Sequence, residues 1–463
     1  MEETKTIFEP RKPVVPDHWR IVRFQEAVSL VSDRGKRVKQ SAYVESGKIP
    51  VIDQGQRYIG GYTNDDDMAF EGSLPVILFG DHTRSIKYVQ KPFAVGAEGI
   101  KILKPKDCFD PKFFYHLLNS LEIPSRGYSR HFQFLKKFYL PIAPLNEQGR
   151  IVAEVEKQFS RLDEGITGLN RVKANLKRYK AAVLKAAVEG KLTEQWRKGH
   201  PDVEPAEKLL DRILTERRKK WEEGELAKMK AKGKATREEK EKKGYKNPVQ
   251  PGSSDLGRLP NGWIWATADQ CTSLITDGEH ITPKRSTEGV LLLSARNVHD
   301  GVLNLDEVDY IPERVYEILT KRFVAVPGDV LLSCSGSVGR SCIVPENVRF
   351  GLVRSVAILK PLFKMGAYLS LAIRSPRGQV QINEKKTQTA QSNIFQGKIR
   401  TLLFPIPPMN EQELIVQEVE RRFSVTHKME SELERNLRRA DRLRQSILKK
   451  AFSGRLVLQR KSQ

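Results

Sequence analysis

The residues with the clearest chemical purpose lie in mixed basic, amide and aromatic stretches. Gly127-Tyr128-Ser129-Arg130-His131-Phe132-Gln133-Phe134-Leu135-Lys136-Lys137 is the densest. Arginine and glutamine can pair bidentately with guanine and adenine edges, while lysine neutralises phosphate. Tyr128, Arg130, His131, Gln133, Lys136 and Lys137 are therefore candidate DNA contacts, with Phe132 and Phe134 expected in the core. Gly278-Glu279-His280-Ile281-Thr282-Pro283-Lys284-Arg285 has the same character and contributes His280, Thr282, Lys284 and Arg285. Thr387-Gln388-Thr389-Ala390-Gln391-Ser392-Asn393 contributes Gln388, Gln391 and Ser392, and Arg296 and Asn297 are assigned to that face. His82 and Arg84 lie in the run Phe79 to Arg84, and Arg340 closes Ser335 to Arg340, so the two arginines recur after a glycine. A solvated surface is the alternative for single residues here, and a shared structural salt bridge is the alternative for the matched arginines.

Catalytic constellations are missing from the same survey. The chain has no GxxxxGK phosphate loop, no GxGxxG and no Asn/Asp-Pro-Pro-aromatic motif. Pro201-Asp202 with Glu238-Glu239-Lys240 imitates a nuclease pattern, but in a polar stretch without a core to hold a metal. Neither the His131/Arg130 pair nor the His82/Arg84 pair has a nucleophile at a motif spacing. Cys108, Cys271, Cys334 and Cys342 form no CxxC pair, so a structural metal is not expected.

Bulk properties agree with a polyanionic partner. Of 463 residues, 80 are Lys or Arg and 57 Asp or Glu, a formal net charge of +23. Hydrophobic residues make up 39%, enough for real cores. No apolar run could span a bilayer, and Met1-Glu2-Glu3-Thr4 does not open a signal peptide, so a cytoplasmic location is expected.

The elements that must position these residues come from an internal duplication. Residues 141–163 (PIAPLNEQGRIVAEVEKQFSRLD) answer residues 405–427 (PIPPMNEQELIVQEVERRFSVTH) at an offset of 264, which persists to Gly190 and Gly454. Upstream, Pro16-Asp17-His18-Trp19 answers Pro260-Asn261-Gly262-Trp263, and Gly72, Gly80 and Arg84 answer Gly328, Gly336 and Arg340. Alike downstream and divergent upstream, the copies suggest one scaffold carrying two reading heads.

The repeated segments read as helices of about 45 residues, roughly 65–70 Å long. Leu162, Ile166, Leu169, Leu176, Val183 and Ala187 form one coiled-coil stripe, and Met429, Leu433, Leu437, Ala440, Leu443, Ile447 and Ala451 the other. Asn146 and Asn410 are expected N-caps, and Gly190 and Gly454 C-terminal stops. Neither stripe can be buried alone, so the helices are expected to pair antiparallel. The upstream segments read as short strands and turns, including Pro75–Phe79, Val290–Leu293 and Asp329–Leu332. The fold class is α+β: two α+β heads separated by two long antiparallel coiled-coil helices, a pseudo-two-fold internal repeat. The expected boundaries are 1–140 for the first head, 141–193 for the first helix, 194–258 for a charged linker, 259–404 for the second head and 405–463 for the second helix. The linker reads as a solvated, partly helical spacer, with DNA-backbone contact as its other use.

A Trp-led variable segment, then PxxPxNEQ, then a long helix ending in LKxAxxG[KR]L, all present twice, resembles the specificity subunits of type I restriction–modification enzymes. The resemblance covers nearly the whole chain. It implies that each head reads one half of a split, asymmetric double-stranded DNA site, that the helices set the gap, and that two methyltransferase and two restriction/translocase subunits dock. It also implies that S-adenosylmethionine, ATP and Mg belong to those partners and that this chain holds no cofactor or active site of its own. A fused nuclease or methyltransferase is the alternative, and a plain coiled-coil adaptor would explain the helices but not the divergent heads.

Overall fold

The computed structural model describes residues 8–96, 99–125, 127, 129–231, 244–252, 256–279, 283–387 and 392–457. The chain divides into two compact units, residues 1–172 with 432–463, and residues 173–431.

In the first unit the strands are β1 (Arg20–Arg23), β2 (Val28–Val31), β3 (Arg37–Val38), β4 (Ile49–Ile52), β5 (Gly61–Thr63), β6 (Val76–Gly80), β7 (Ile86–Val89), β8 (Ala94–Gly96), β9 (Ile100–Pro105) and β10 (Tyr139–Ile142). They form an antiparallel sheet ordered β2-β9-β6-β7, a mixed sheet ordered β3-β8-β4-β5, and the ribbon β1-β10. β6 (VILFG) is buried throughout, as a short central strand of apolar residues should be. Its core joins Phe79 and Leu103 to Ile151, Val152 and Val155 and to Leu448, Ala451 and Phe452.

The second unit has β11 (Ile264–Thr267), β12 (Thr272–Asp277), β13 (Val290–Leu293), β14 (Val298–His299), β15 (Val302–Leu303), β16 (Asp309–Ile311), β17 (Val330–Ser333), β18 (Ser341–Ile343), β19 (Phe350–Leu352), β20 (Val356–Pro361) and β21 (Leu403–Ile406). The sheet β12-β20-β17-β18 repeats the order of β2-β9-β6-β7, and β11-β21 repeats β1-β10. The α+β duplication read in the sequence is thus built at the level of strand order.

The long helices run Leu145–Val188 and Met409–Phe452, 44 residues each, or about 66 Å at 1.5 Å per residue. Within each unit their segments pair antiparallel. In the first, Asp163 ion-pairs with Arg444 while Val155 packs with Ala451. In the second, Lys180 meets Glu430 at 2.6 Å while Val188 packs with Ile415. Leu176, Val183, Ala187, Leu433, Ala440 and Ala451 are buried as the stripe requires, but Met429 and Leu443 are exposed, so the second stripe is narrower than the heptad pattern suggests.

The helix starts differ from expectation. Asn146 and Asn410 lie inside the first turn, and Pro144 occupies the N-cap position: its carbonyl accepts from the amides of Glu147 and Gln148 at 2.8 and 2.9 Å. Gln148 ties the helix start to the segment before it, its Nε2 donating back to the Ala143 carbonyl at 2.7 Å. Gln412 does the same to Pro407 at 2.9 Å. The glutamates latch the heads: Glu147 bonds His18 at 2.9 Å, and buried Glu411 accepts from Thr193 at 2.6 Å, from the Trp263 indole at 2.8 Å and from Arg197. The repeated NEQ is therefore a backbone tie and a buried anchor. Gly190 and Gly454, at φ of +68° and +72°, close both helices with matching bonds, Lys191 to Ala186 and Arg455 to Lys450, each 2.9 Å.

The linker is more than a solvated spacer. A helix at Ala206–Ala231 buries Ala206, Leu209, Leu210 and Ile213 in the second core. Arg217 of that helix and Arg400 both reach the buried carboxylate of Asp269, at 3.3 and 2.7 Å.

Candidate nucleic-acid interface

In the first unit the β6–β7 hairpin turns through Asp81 to Arg84, and Asp81 anchors the segment around residues 129–137. Its carbonyl accepts from the amide of His131 at 2.7 Å, and its carboxylate accepts from the amide of Phe132 at 2.8 Å. The short helix Phe132–Leu135 then buries Phe132, Phe134 and Leu135. That leaves Gln133, Lys136 and Lys137 on the outside, with Arg130 exposed just before them. The ammonium of Lys136 lies 5.1 Å from the Phe132 ring centroid.

In the second unit the equivalent hairpin, β17–β18, loops through Cys334 to Gly339. Residues 392–395 return against it: the amide of Ile394 donates to the Cys334 carbonyl at 3.0 Å, as His131 donates to Asp81. Ser335 and Asn393 form a β-bridge. Each head therefore builds one surface from a hairpin loop and the segment that precedes its last short helix.

The pairing of arginines needs correction. Gly80 bonds Ser85 across its ladder, and Ser333 bonds Arg340. Arg84 donates its amide to the Gly80 carbonyl at 2.8 Å, and Gly339 donates to Ser333 at 3.0 Å. Arg84 thus corresponds to Gly339 and Ser85 to Arg340, because the second loop holds two more residues. No salt bridge links either arginine to an acid among the described residues. The guanidinium of Arg84 donates to the Ile123 carbonyl at 2.9 Å. Arg340, half-buried, has no side-chain partner among the described residues.

The remaining candidates divide. His131 is 1% exposed, its ring bonded to the Asp81 carbonyl at 2.9 Å, and Asn297 is 2% exposed, its amide stapling Ser294, Asn304 and Glu307. Both support backbone and present no side chain to a ligand, which corrects their reading as contacts. Lys284 is exposed, and Arg285 and Arg296 are exposed while sharing Asp309 at 3.1 and 2.9 Å. His82 and Ser392 are half-buried. Tyr128, His280, Thr282, Gln388 and Gln391 lie outside the described residues, as do Glu238 to Lys240.

The surface offers donors and cations and little acid–base chemistry. Among the described residues no three His, Cys, Asp or Glu gather as a metal site. Burial pushes the thiols of Cys271, Cys334 and Cys342 up to about 12, so they are not nucleophiles at neutral pH. Sequence reading overlooked the loop after β4, where Gln56 and Arg57 are exposed. The signal was present, since β4 is followed by a polar run, Asp53-Gln54-Gly55-Gln56-Arg57, with the amide and guanidinium groups sought elsewhere.

A family model described as the type I restriction modification DNA specificity domain matches residues 16–177, the first head and most of its helix. Over those residues the chain is similar to the DNA specificity domain of type I restriction–modification enzymes. The specificity subunit of type I restriction enzyme EcoBI of Escherichia coli is 24% identical over 87% of this chain and 77% of its own length. That of EcoKI, from Escherichia coli strain K12, is 25% identical over 69% of this chain and 58% of its own length, so the matched part spans under two thirds of that relative. A chain solved in work on complex assembly and conformational transition of the type I R-M system shares the fold, with a TM-score of 0.55 at 18% identity. The match covers 96% of this chain and 100% of that one. No helix among the described residues is long and apolar enough to cross a membrane.

Proposed function

We propose that this chain is a specificity subunit that reads a bipartite, asymmetric site in double-stranded DNA, one half with each head, and has no catalytic activity of its own. One observation carries the reading: the same hairpin-and-returning-segment surface is built twice, with different side chains on it. One frame with two sets of donors suits two different half-sites. Arg84, Arg130, Gln133, Lys136 and Lys137 serve the first half, with Lys284, Arg285, Arg296 and Arg340 serving the second. The paired helices set the gap and dock two methyltransferase subunits, with two restriction/translocase subunits joining them in the cytoplasm. S-adenosylmethionine, ATP and Mg act on those partners.

The test is made on the assembled complex. Mapping methylated adenines should return one bipartite motif, and the purified single chain should neither methylate nor cut. Inserting four residues between Leu176 and Leu184 adds about one helical turn, roughly 5.4 Å, against about 3.4 Å per base pair. The preferred gap should lengthen by about one to two base pairs with both half-sites unchanged. Turnover by the single chain favours the fused-enzyme reading, and a changed half-site at constant gap removes the helices as the ruler.

A further inference from the structure

We infer that Gln56 and Arg57, on the loop between β4 and β5, are specificity-determining residues of the first head, and that Lys87 is the positioning residue that presents them. The inference rests on the DNA-reading function proposed above and assigns base-edge contacts to a loop outside the stretches selected from sequence. Both side chains are exposed, and neither has a partner among the described residues.

The backbone beneath them is held from below. The side chain of Lys87, in β7, is 5% exposed. Its ammonium donates to the carbonyls of Asp53 at 2.8 Å, Tyr58 at 3.3 Å and Arg57, with the Asp53 carboxylate at 3.6 Å. A buried ammonium holds its charge only where oxygen atoms replace water, and here the loop supplies nearly all of them. Burial draws the Lys87 pKa down and Asp53 opposes the fall. The loop is also tied to the hairpin turn: Thr83 donates its hydroxyl to the Gln54 carbonyl at 2.5 Å, and the amide of His82 donates to the Gln54 side chain at 3.2 Å. The loop that carries Gln56 and Arg57 is therefore joined to the turn that holds Arg84 and anchors the 129–137 segment, and it is fixed before any ligand arrives. Direct readout needs that fixity, because a bidentate contact tolerates little displacement.

The second head supplies an independent parallel. β13 pairs antiparallel with β16 and parallel with β19, as β4 pairs with β5 and β8. The loop after β13 likewise carries an exposed arginine, Arg296, over a backbone stapled by a buried side chain, Asn297 in place of Lys87. The ligand chemistry is the major-groove edge of a base pair, guanine for Arg57 and adenine for Gln56.

The experiment is a randomised-site selection with the assembled complex, wild type beside Arg57→Ala, Gln56→Ala, Lys87→Met and the double variant Arg57→Ala/Lys87→Met. Arg57→Ala and Gln56→Ala should each relax one base position of one half-site by about tenfold and leave the other half unchanged. Lys87→Met should relax the same positions, and in the Arg57→Ala background it should add nothing at the Arg57 position, because the two act through one contact. Unchanged selectivity in both surface variants, or an even loss of affinity over all sequences, overturns the base-reading assignment. Lys87→Met that relaxes every position of the half-site equally overturns the positioning role. A wild-type complex that selects no bipartite site refutes the underlying function instead, and that control separates the two failures.

Discussion

Arg444 lies over the ring of Phe159, its guanidinium carbon 4.4 Å from the centroid, while ion-pairing with Asp163 one turn along the first long helix. Its counterpart 264 residues earlier, Lys180, lies 5.9 Å from the ring centroid of Phe423 and ion-pairs with Glu430 at 2.6 Å. The antiparallel seam is thus locked in each unit by a cation shared between an aromatic face and a carboxylate. The closer guanidinium stacks better on a ring than an ammonium does. Arg444→Ala should lower stability by about 1–2 kcal/mol and Lys180→Ala by about 0.5–1 kcal/mol. Thermal melts of the two variants check the order, and a Lys180 variant that melts lower contradicts it.

Acid should erase one helix-face interaction in a defined window. Arg421 and Arg422, one turn beyond Glu418, hydrogen-bond its carboxylate at 2.6–2.9 Å and hold its pKa down from 4.5 to about 2. A depressed carboxylate contributes stability above its unfolded value, and that contribution is lost as pH falls through the folded value. With solvent at the group, Glu418→Gln should cost only about 0.5 kcal/mol at pH 7. The gap to wild type should close between pH 4.5 and about 2, and a gap that persists at pH 2 means the side chain acts through something other than its charge.

Thiol reactivity should separate the four cysteines. Cys271, Cys334 and Cys342 are buried with pKa values pushed up to about 12, whereas Cys108 is half-buried. A thiolate reagent at pH 8 should modify the folded chain at Cys108 alone and reach all four after denaturation. Mass mapping of the modified residues is the measurement, and rapid native labelling of Cys342 would show that the second sheet opens.

Most of the scaffold was legible because it depends on periodicity and on an exact repeat. The PxxPxNEQ starts, the long apolar stripes and Gly190 with Gly454 each follow from short-range rules. The N-cap was misread because asparagine is a common cap, whereas the helix starts one residue earlier and the Pro144 carbonyl accepts from the amides of Glu147 and Gln148. The site was less legible because exposure depends on tertiary partners. His131 and Arg130 are adjacent and equally polar, yet only His131 is drawn inward, by Asp81 fifty residues away. Asn297 beside Arg296 repeats the lesson. The Gln56–Arg57 loop escaped notice because the residue that orders it, Lys87, lies on another strand.

The turn residue Arg84 provides a test in which stability and recognition move separately. Its φ of +59° lies in the left-handed region, where its structural counterpart in the second head is a glycine, Gly339, at +97°. An L side chain there strains the backbone, and Arg84 retains one compensating bond, to the Ile123 carbonyl. Arg84→Ala removes the bond and keeps the strain, whereas Arg84→Gly removes both. The glycine variant should therefore be the more stable by about 0.5–1 kcal/mol, less than the full strain because glycine loses more freedom on folding. If the guanidinium also reads a base edge, both variants should relax the same position of one half-site to the same degree, despite their different melts. If it serves only as a tie to Ile123, selectivity should stay with wild type in the glycine variant and fall only where stability falls. Thermal melts beside a randomised-site selection with each assembled complex distinguish these outcomes. An alanine variant that melts as high as the glycine variant removes the strain, and relaxation of both half-sites together by either variant contradicts two independently reading heads.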